Sequence, residues 1–366
     1  MSFPQAPRRI LLTCTQRIGD VLLVTPLVRS LKRAWPAAAV DMLVFQGTEG
    51  VLEGNADLAQ VITVPQRAGF AASVDQLRRL WRRYDLALTP LPTDRARLYC
   101  WAAGRRRFGV VRPEWQDRSK ALLLTRSLRF DDLATHTVST GLRLAELLGI
   151  APCFAVVPPS LPPLKLQSLL ARLGTFADAA FCILHPSPRY AYKMWPVAGW
   201  IALAQWLRTR GLQVVFTGSA DPVEIRYVAE IVRQLPAGTI NLAGTMLLGE
   251  TAELIRRARL YVGPDTAVTH VAAATGTPTI ALFGPSNPVK WGPWPQAWGS
   301  FDSPWALRGS RRQGNVFLLQ GPGDCVPCLL EGCDRHLDSG SDCLKVLTAE
   351  AVIQAAAVLL SGVDSE

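Results

Sequence analysis

The sequence predicts an α/β protein built from two Rossmann-like halves. Short buried-strand patterns alternate with helical stretches between residues 8 and 110, and the same alternation resumes at residue 181. Such alternation is typical of βαβ units with a parallel sheet. A proline-rich stretch with little periodicity, residues 151–168, separates the two series and has the composition of a linker. The length of 366 residues suits two domains.

The first half contains several apolar segments short enough to be buried strands. They are residues 8–14, 40–45, 61–64, 85–89 and 107–110. An amphipathic helix is predicted over residues 21–35 and a basic helix over residues 71–83. Because crossovers between parallel strands are right-handed, these elements predict a Rossmann-like sheet.

The second half repeats the pattern. Its predicted strands are residues 181–187, 212–218, 240–242, 260–263 and 278–283, with helices between them and a final helix over residues 348–360. Two such halves joined by a linker describe the GT-B arrangement, in which two parallel sheets face a central cleft. The predicted domains are residues 1–165 and 166–347, followed by a C-terminal helix and tail over residues 348–366.

The positive charge is concentrated in the first half. The net charge is +10, and residues 1–150 hold 22 Lys and Arg against 13 Asp and Glu, whereas the remainder holds 17 against 16. A basic half suits a phosphorylated substrate, an anionic membrane surface or nucleic acid. Ordinary solvated helix faces explain the same bias. Four arginines (78, 79, 82 and 83) are predicted on one helix face near Trp81, and Arg105–Arg107 form a second cluster.

The sequence predicts a cytoplasmic protein. No apolar run approaches the roughly 20 residues that span a bilayer. The first 14 residues lack the order of charge, long apolar core and small-residue cleavage site that marks a signal peptide.

Asp20 is the first candidate for chemistry. It ends an Arg-Ile-Gly-Asp loop that follows the first predicted strand and opens a helix. A carboxylate in the first turn of a helix can cap it and is stabilised in its ionised form by the positive end of the helix. An ionised carboxylate can act as a general base. Capping alone also explains the residue, and the two roles are compatible.

A basic loop follows the first strand of the second half. Residues 185–196 read HPSPRYAYKMWP and bring Ser187, Arg189 and Lys193 into one strand–helix connection. Hydroxyls and fixed cations at such a junction suit a diphosphate. An exposed basic loop without a ligand would look the same. Neither a Walker A sequence nor GxGxxG occurs in the chain.

The stretch from residue 260 to 294 has the strongest pattern for a ligand site. A buried strand leads into a Gly-Pro-Asp-Thr turn, a small-residue helix over Ala267–Thr275, a second strand and a GPSNP loop. Ligands of open α/β sheets bind where strands turn into helices, so Asp265 and Thr266 are predicted at a binding turn. His270 lies one and a half turns into the helix and could equally be a satisfied core histidine.

Four of the eight cysteines cluster near the C-terminus. Cys325, Cys328, Cys333 and Cys343 have spacings of two, four and nine residues, which resemble those of a structural zinc site or, as the less favoured alternative, an iron–sulfur cluster. A reduced cluster without metal fits the sequence equally well. The four histidines form no metal pair, and no Asp-x-Asp triplet of the kind that holds a metal–nucleotide complex is present.

Taken in order, RIGD, HPSPRYAYKMWP, the GPDTAVTH…GPSNP stretch and WGPW resemble the lipopolysaccharide heptosyltransferases, glycosyltransferase family nine. The resemblance covers residues 8–347. It implies a GT-B fold and inverting transfer of a heptose from ADP-heptose to a sugar hydroxyl of the lipopolysaccharide inner core. It also implies no required cofactor, no nucleic-acid partner, and a peripheral position on the anionic inner face of the inner membrane.

The resemblance also assigns roles to individual residues. It implies that Asp20 is the general base that deprotonates the acceptor. The residues that it implies for donor binding are Ser187, Arg189, Lys193, Glu224, Met246, Asp265, Thr266, Ala267 and His270. Ala267 stands where the family often has glycine, and the loop before Lys193 is one residue longer than in some members.

Two other functions fit the sequence. A GT-B transferase or epimerase could use another nucleotide sugar, which a panel of donors would distinguish. A non-catalytic binder of anionic glycolipid or RNA could use the arginine-rich half, in which case salt-sensitive binding would occur without turnover of any donor.

Overall fold

The computed structural model describes residues 6–67, 69–174 and 179–361. The chain divides into two compact units. The first unit comprises Met1–Val157 with Gly299–Ser303, and the second comprises Pro158–Trp298 with Pro304–Glu366.

The first unit is built on a six-stranded parallel sheet. Its strands are β1 (Arg9–Cys14), β2 (Ala39–Phe45), β3 (Gln60–Val64), β4 (Tyr84–Thr89), β5 (Gly104–Val111) and β6 (Arg126–Arg129). The spatial order β3-β2-β1-β4-β5-β6 is that of a Rossmann sheet, and the strand order reverses between β1 and β4. The central strands are apolar on both faces because helices cover both sides of the sheet.

The helices of this unit differ from the prediction in two places. They are α1 (Ile18–Leu23), α2 (Thr25–Ala34), α3 (Phe70–Leu80), α4 (Asp94–Ala103), α5 (Trp115–Lys120) and α6 (Thr137–Leu148). The single helix predicted over residues 21–35 is two helices, because Pro26 lacks the N–H that a continuous helix needs and lies instead in the first turn of α2, where proline is tolerated. The basic helix α3 ends at Leu80, so Arg82 and Arg83 lie beyond it and not on its face.

The second unit repeats the same order of strands. They are β7 (Phe181–Leu184), β8 (Gln213–Phe216), β9 (Ile240–Asn241), β10 (Leu260–Pro264), β11 (Thr279–Phe283), β12 (Arg311–Gln313) and β13 (Val316–Gln320). The order β12-β13-β11-β10-β7-β8-β9 places the reversal between β7 and β10. The sheet is parallel except for β12, which is antiparallel to β13, and neither of these two strands was predicted.

Helices cover both faces of this sheet. They are α7 (Pro163–Leu173), α8 (Val197–Thr209), α9 (Pro222–Arg233), α10 (Leu248–Arg257), α11 (Ala267–Thr275), α12 (Pro288–Trp291), α13 (Asp342–Lys345) and α14 (Ala349–Ser361). The predicted linker is wrong in its second part, because α7 begins at Pro163, a position in the first turn where proline is tolerated. The predicted tail after Ser361 lies outside the described residues. No helix within the described ranges is long and apolar enough to cross a bilayer.

Candidate active site

The predicted donor-binding residues lie in loops at one edge of the second sheet. β7 pairs with β10, and β10 pairs with β11, all in parallel, so their carboxyl ends are adjacent. The loop with Ser187 and Lys193 follows β7, Asp265 follows β10, and Ser286 follows β11. The strand order reverses between β7 and β10, and the edge beside such a reversal is where open α/β sheets bind ligands.

Lys193 and Asp265 form an ion pair across this reversal. The Lys193 Nζ atom lies 2.5 Å from Asp265 Oδ2, and both side chains are largely buried. Burial alone would raise the pKa of the Asp265 carboxyl. The Lys193 ammonium, His270 and a hydrogen bond from Ser286 outweigh burial and hold that pKa below its usual value. The pair is therefore a charged one, with ammonium donors fixed at the strand ends.

His270 lies beside this pair in α11. Burial lowers the pKa of His270 to about 4; the nearby Asp265 carboxylate opposes this effect, and Lys193 adds to it. The imidazole is therefore neutral at pH 7. Its buried Nδ1 atom has no hydrogen-bond partner among the described residues. An unpaired buried nitrogen is unusual in a core histidine, which favours the ligand-binding interpretation of this residue.

The start of α11 offers backbone donors at the same place. Thr266 is the N-cap, but its side chain makes no capping hydrogen bond. Its hydroxyl lies 3.3 Å from that of Thr269, which donates to the Pro264 carbonyl at 2.6 Å. The first N–H groups of the helix, starting at Ala267, have no partner within the helix, and such groups bind anions.

The loop after β7 carries the remaining basic residue. Ser187 is buried at its start, whereas Arg189 is exposed, with its guanidinium carbon 5.7 Å from the centre of the Tyr190 ring. The structure does not place Arg189 in the Lys193–Asp265 pair. His185 at the head of the loop was not predicted as a site residue. Its Nδ1 lies 3.0 Å from the Thr217 hydroxyl, and burial lowers its pKa to about 4.

Glu224 and Met246 lie at the other end of the same edge. Glu224 is in the first turn of α9, after β8, and accepts a hydrogen bond from Ser219 N at 2.9 Å. Met246 follows β9, and its sulfur lies 3.4 Å from an Arg172 nitrogen. Glu224 therefore follows the strand next to β7, whose loop carries Lys193, and Met246 follows the strand beyond that.

Asp20 occupies the corresponding reversal in the first unit. It lies in the first turn of α1, directly after β1, and its carboxylate accepts a hydrogen bond from Arg17 N at 3.2 Å. The carboxylate lies near enough to Cys14 to raise the pKa of that buried thiol, whose shift comes mainly from burial. The helix start thus holds the Asp20 carboxylate at the carboxyl end of β1, beside the reversal of strand order.

The cysteine-rich segment, residues 321–347, supports the loops of the second unit. Ser341 Oγ donates to the Tyr192 carbonyl at 2.6 Å, and Leu347 O accepts from Trp195 Nε1 at 2.8 Å. Leu329 N donates to Pro285 O at 2.9 Å. The segment therefore fixes both the loop that carries Lys193 and the loop that carries Ser286.

The four cysteines of this segment are free thiols. Across the described ranges, no group of three or more His, Cys, Asp or Glu side chains is arranged to hold a metal ion. The structure therefore gives no support to the zinc site predicted from the cysteine spacing.

Two contributors to the site were missed from the sequence. Ser286 lies in the GPSNP loop, and its place directly after β11 is the signal that could have identified it. Ser341 is 149 residues from Tyr192, and no local pattern connects the two.

The family follows from a comparison with known sequences. The model of glycosyltransferase family 9 (heptosyltransferase) matches residues 100–304, which is more than half of the chain. The chain belongs to glycosyltransferase family 9. It is therefore a transferase, and the non-catalytic alternative loses its support. Lipopolysaccharide heptosyltransferase 3 from Escherichia coli is 27% identical over 337 residues, covering 88% of this chain and 97% of the relative.

Solved structures of glycosyltransferase family 9 share the fold. A family 9 glycosyltransferase from Veillonella parvula matches with a TM-score of 0.76 and 22% identity, covering 97% of each chain. The E. coli ADP-heptose lipopolysaccharide heptosyltransferase II matches with a TM-score of 0.74 and 20% identity, covering 97% of this chain and 99% of the other. These matches confirm the predicted α/β fold of GT-B type.

Proposed function

We propose that this protein transfers a heptose from ADP-heptose to a sugar hydroxyl of the lipopolysaccharide inner core, with inversion at the anomeric carbon. Family 9 membership and the names of its relatives support the reaction class and the donor. The observation within the chain that carries the proposal is the Lys193–Asp265 pair beside the start of α11. It combines a fixed cation with backbone donors where a diphosphate would bind.

In this proposal Lys193 binds the diphosphate and Asp265 positions it. The ammonium has three donors, so it can keep its contact with Asp265 and still donate to phosphate oxygens. Ala267 N–H and the next amides of α11 add neutral donors, with Ser187 and Arg189 nearby in the loop after β7. Thr266 and His270 supply a hydroxyl and an imidazole for the sugar or ribose.

The adenosine would extend along the edge toward Glu224 and Met246. Adjacent strands are about 4.8 Å apart, so the loop after β8, which leads to Glu224, is two steps or roughly 10 Å from β10, and the loop after β9 with Met246 is three steps or roughly 14 Å from it. This is the order in which the strands are arranged. The proposal therefore predicts that Glu224 and Met246 affect the nucleoside and not the heptose.

Asp20 is proposed as the general base. Its carboxylate takes the proton of the acceptor hydroxyl while the oxygen attacks the anomeric carbon from the face opposite the leaving ADP. Negative charge then builds on the diphosphate, where Lys193 and the α11 amides stabilise it. The base and the groups that stabilise the leaving diphosphate are thus all residues of this chain.

The proposal includes the location and the domain roles. Residues 1–165 would form the acceptor-side domain and residues 166–347 the donor-binding domain. The protein would act at the cytoplasmic face of the inner membrane as a peripheral protein, because the acceptor is built on a lipid and the first half is basic.

The test of the base is Asp20→Asn, which keeps the cap but removes the charge. We expect kcat to fall by about 10²–10⁴-fold, with the affinity for ADP-heptose unchanged in a binding titration. Asp131→Asn is the matched control, because Asp131 also accepts backbone hydrogen bonds, from Leu133 N and Ala134 N. Near-normal turnover by the Asp20 variant would show that another group is the base.

The test of the donor is a panel of ADP-heptose and ADP-, GDP- and UDP-linked sugars, each offered with a heptose-deficient lipopolysaccharide core as acceptor. Release of ADP and growth of the acceptor with ADP-heptose alone are expected. Turnover of a UDP- or GDP-sugar in its place would assign the chain to another donor.

A further inference from the structure

An exposed tryptophan, a half-buried tryptophan and several arginines lie at one end of α3 and α4 in the first unit. Trp81 is 51% exposed, and its ring lies 5.3 Å from that of Trp101 in an edge-to-face arrangement. The arginines are residues 78, 82, 83 and 105, contributed by α3, by the turn after it and by the start of β5. These six residues are called the Trp81 patch below.

The turn that presents Trp81 is held in an unfavourable backbone conformation. Arg82 has φ of 52°, in the left-handed region that residues with a side chain rarely adopt. Its backbone N donates to Ala102 O at 2.9 Å, and its guanidinium donates to Gly104 O at 2.7 Å. The fold thus fixes a strained turn that leaves a tryptophan in solvent. Strain of this kind concentrates at functional positions.

The patch is positively charged, and its arginines are not neutralised by carboxylates of the described residues. Within residues 6–67, 69–174 and 179–361, none of these four arginines pairs with a carboxylate. The neighbouring Arg79 is the one that pairs with Asp75, at 2.8 Å. A surface of unpaired arginines attracts an anionic partner.

The aromatic geometry favours a bilayer over a nucleic acid. Bases bind by stacking on open ring faces. The Trp81 ring has the Arg82 guanidinium carbon 5.2 Å from its centre, and Trp101 packs against it at an interplanar angle of 68°. Tryptophan beside arginine is instead the composition of residues at the boundary between lipid headgroups and water.

We infer that the Trp81 patch docks the protein onto an anionic lipid bilayer. The partner is a leaflet rich in acidic headgroups, with the arginines on the phosphates and the tryptophans at the headgroup level. This specifies the surface behind the peripheral location proposed above. It does not depend on the donor or the reaction, because binding to vesicles is measured without either.

The patch is separate from the residues proposed for chemistry. It lies at the amino ends of β4 and β5, whereas Asp20 follows the carboxyl end of β1 in the same sheet. A strand of six residues spans about 20 Å. Changes in the patch should therefore alter vesicle binding and leave turnover of a soluble acceptor unchanged.

The experiment is co-flotation of the full chain with vesicles of phosphatidylcholine alone or of phosphatidylcholine and phosphatidylglycerol in equal parts. We expect binding to the mixed vesicles only, weakening as salt is raised. Arg83→Gln with Arg105→Gln should reduce the partition coefficient by about fivefold per arginine, and roughly thirtyfold together. Trp81→Ser should also reduce it.

The matched control is Arg210→Gln with Arg233→Gln, which removes the same charge from exposed positions of the second unit. Its binding should equal that of the parent. If the control lost vesicle binding to the same extent, net charge alone would explain the effect and the inference would be overturned. So would failure of the parent to bind the mixed vesicles, or arginine-dependent binding to single-stranded RNA in their place. Should Trp81→Ser lower the melting temperature, the arginine pair decides the outcome.

Discussion

Replacing Lys193 by methionine should destabilise the second unit and weaken ADP binding together. Methionine keeps the apolar stem but removes the cation. Asp265 is only 9% exposed, so its carboxylate would be left in a poorly solvated position. Removing one partner of a buried pair costs 3–5 kcal/mol. The Lys193 side chain is 18% exposed, so we expect a loss of unfolding free energy at the lower end of this range, about 3 kcal/mol. This corresponds to a fall in Tm of roughly 6–12 °C for a unit of this size.

The effect should depend on pH in a defined direction. In the parent, the pKa of Asp265 is held below 3.8, so the pair contributes stability above that pH and loses it as the pH falls further. Without Lys193, burial is left as the largest influence and raises this pKa. Protonation of Asp265 therefore removes the buried unpaired charge that destabilises the variant. The parent should exceed the Lys193→Met variant in unfolding free energy by the whole amount at pH 7. As the pH is lowered from 7, this difference should become smaller before the pH reaches 3.8.

The assay is a double-mutant cycle with Asp265→Asn, read by denaturant unfolding and by titration with ADP. The double variant removes both charges and should be more stable than Lys193→Met alone. Loss of a charge-assisted hydrogen bond to phosphate should weaken ADP binding by about 2 kcal/mol, or roughly thirtyfold. Lys345→Met is the control, because Lys345 forms an exposed pair with Asp342 at 2.8 Å and should change little.

Strict additivity in the cycle would refute the reasoning. It would mean that Lys193 and Asp265 do not interact energetically despite their contact. Unchanged ADP affinity in the Lys193 variant would leave the pair as a structural feature and remove its role in binding phosphate.

Two further predictions concern stability and the support of the site. Burial depresses the pKa of His185 and of His270 to about 4, so the unfolded chain binds more protons than the folded one between pH 6.5 and 4. Unfolding free energy should fall over this range as the pH falls, by up to about 3 kcal/mol for each histidine; a flat profile in urea titrations would contradict this. Ser341→Ala removes the hydrogen bond to the Tyr192 carbonyl and should raise the KM for the donor more than it lowers kcat. Ser168→Ala, which removes an exposed helix contact, is its control, and an unchanged KM would exclude the supporting role.

Local pattern in the sequence determined most of the fold. Apolar runs such as Ile10–Leu12 become buried strands because they fit between two helical layers, and the alternation with helices leaves a parallel Rossmann sheet as the solution. The positions of Asp20 and Asp265 followed in the same way, because a strand–helix turn is a local feature. The least predictable strand was β6, since Arg126–Arg129 has no apolar pattern.

Only the tertiary structure decided which of these residues meet. Lys193 and Asp265 are 72 residues apart, and their contact exists because β7 and β10 are neighbours in the sheet. The contact between Ser341 and Tyr192 and the αL turn at Arg82 likewise depend on packing between distant segments. The cysteine spacing, by contrast, predicted a metal site for which the structure gives no support among the described residues. Sequence periodicity encodes which face of an element is buried, whereas strand order and packing decide which side chains share a site.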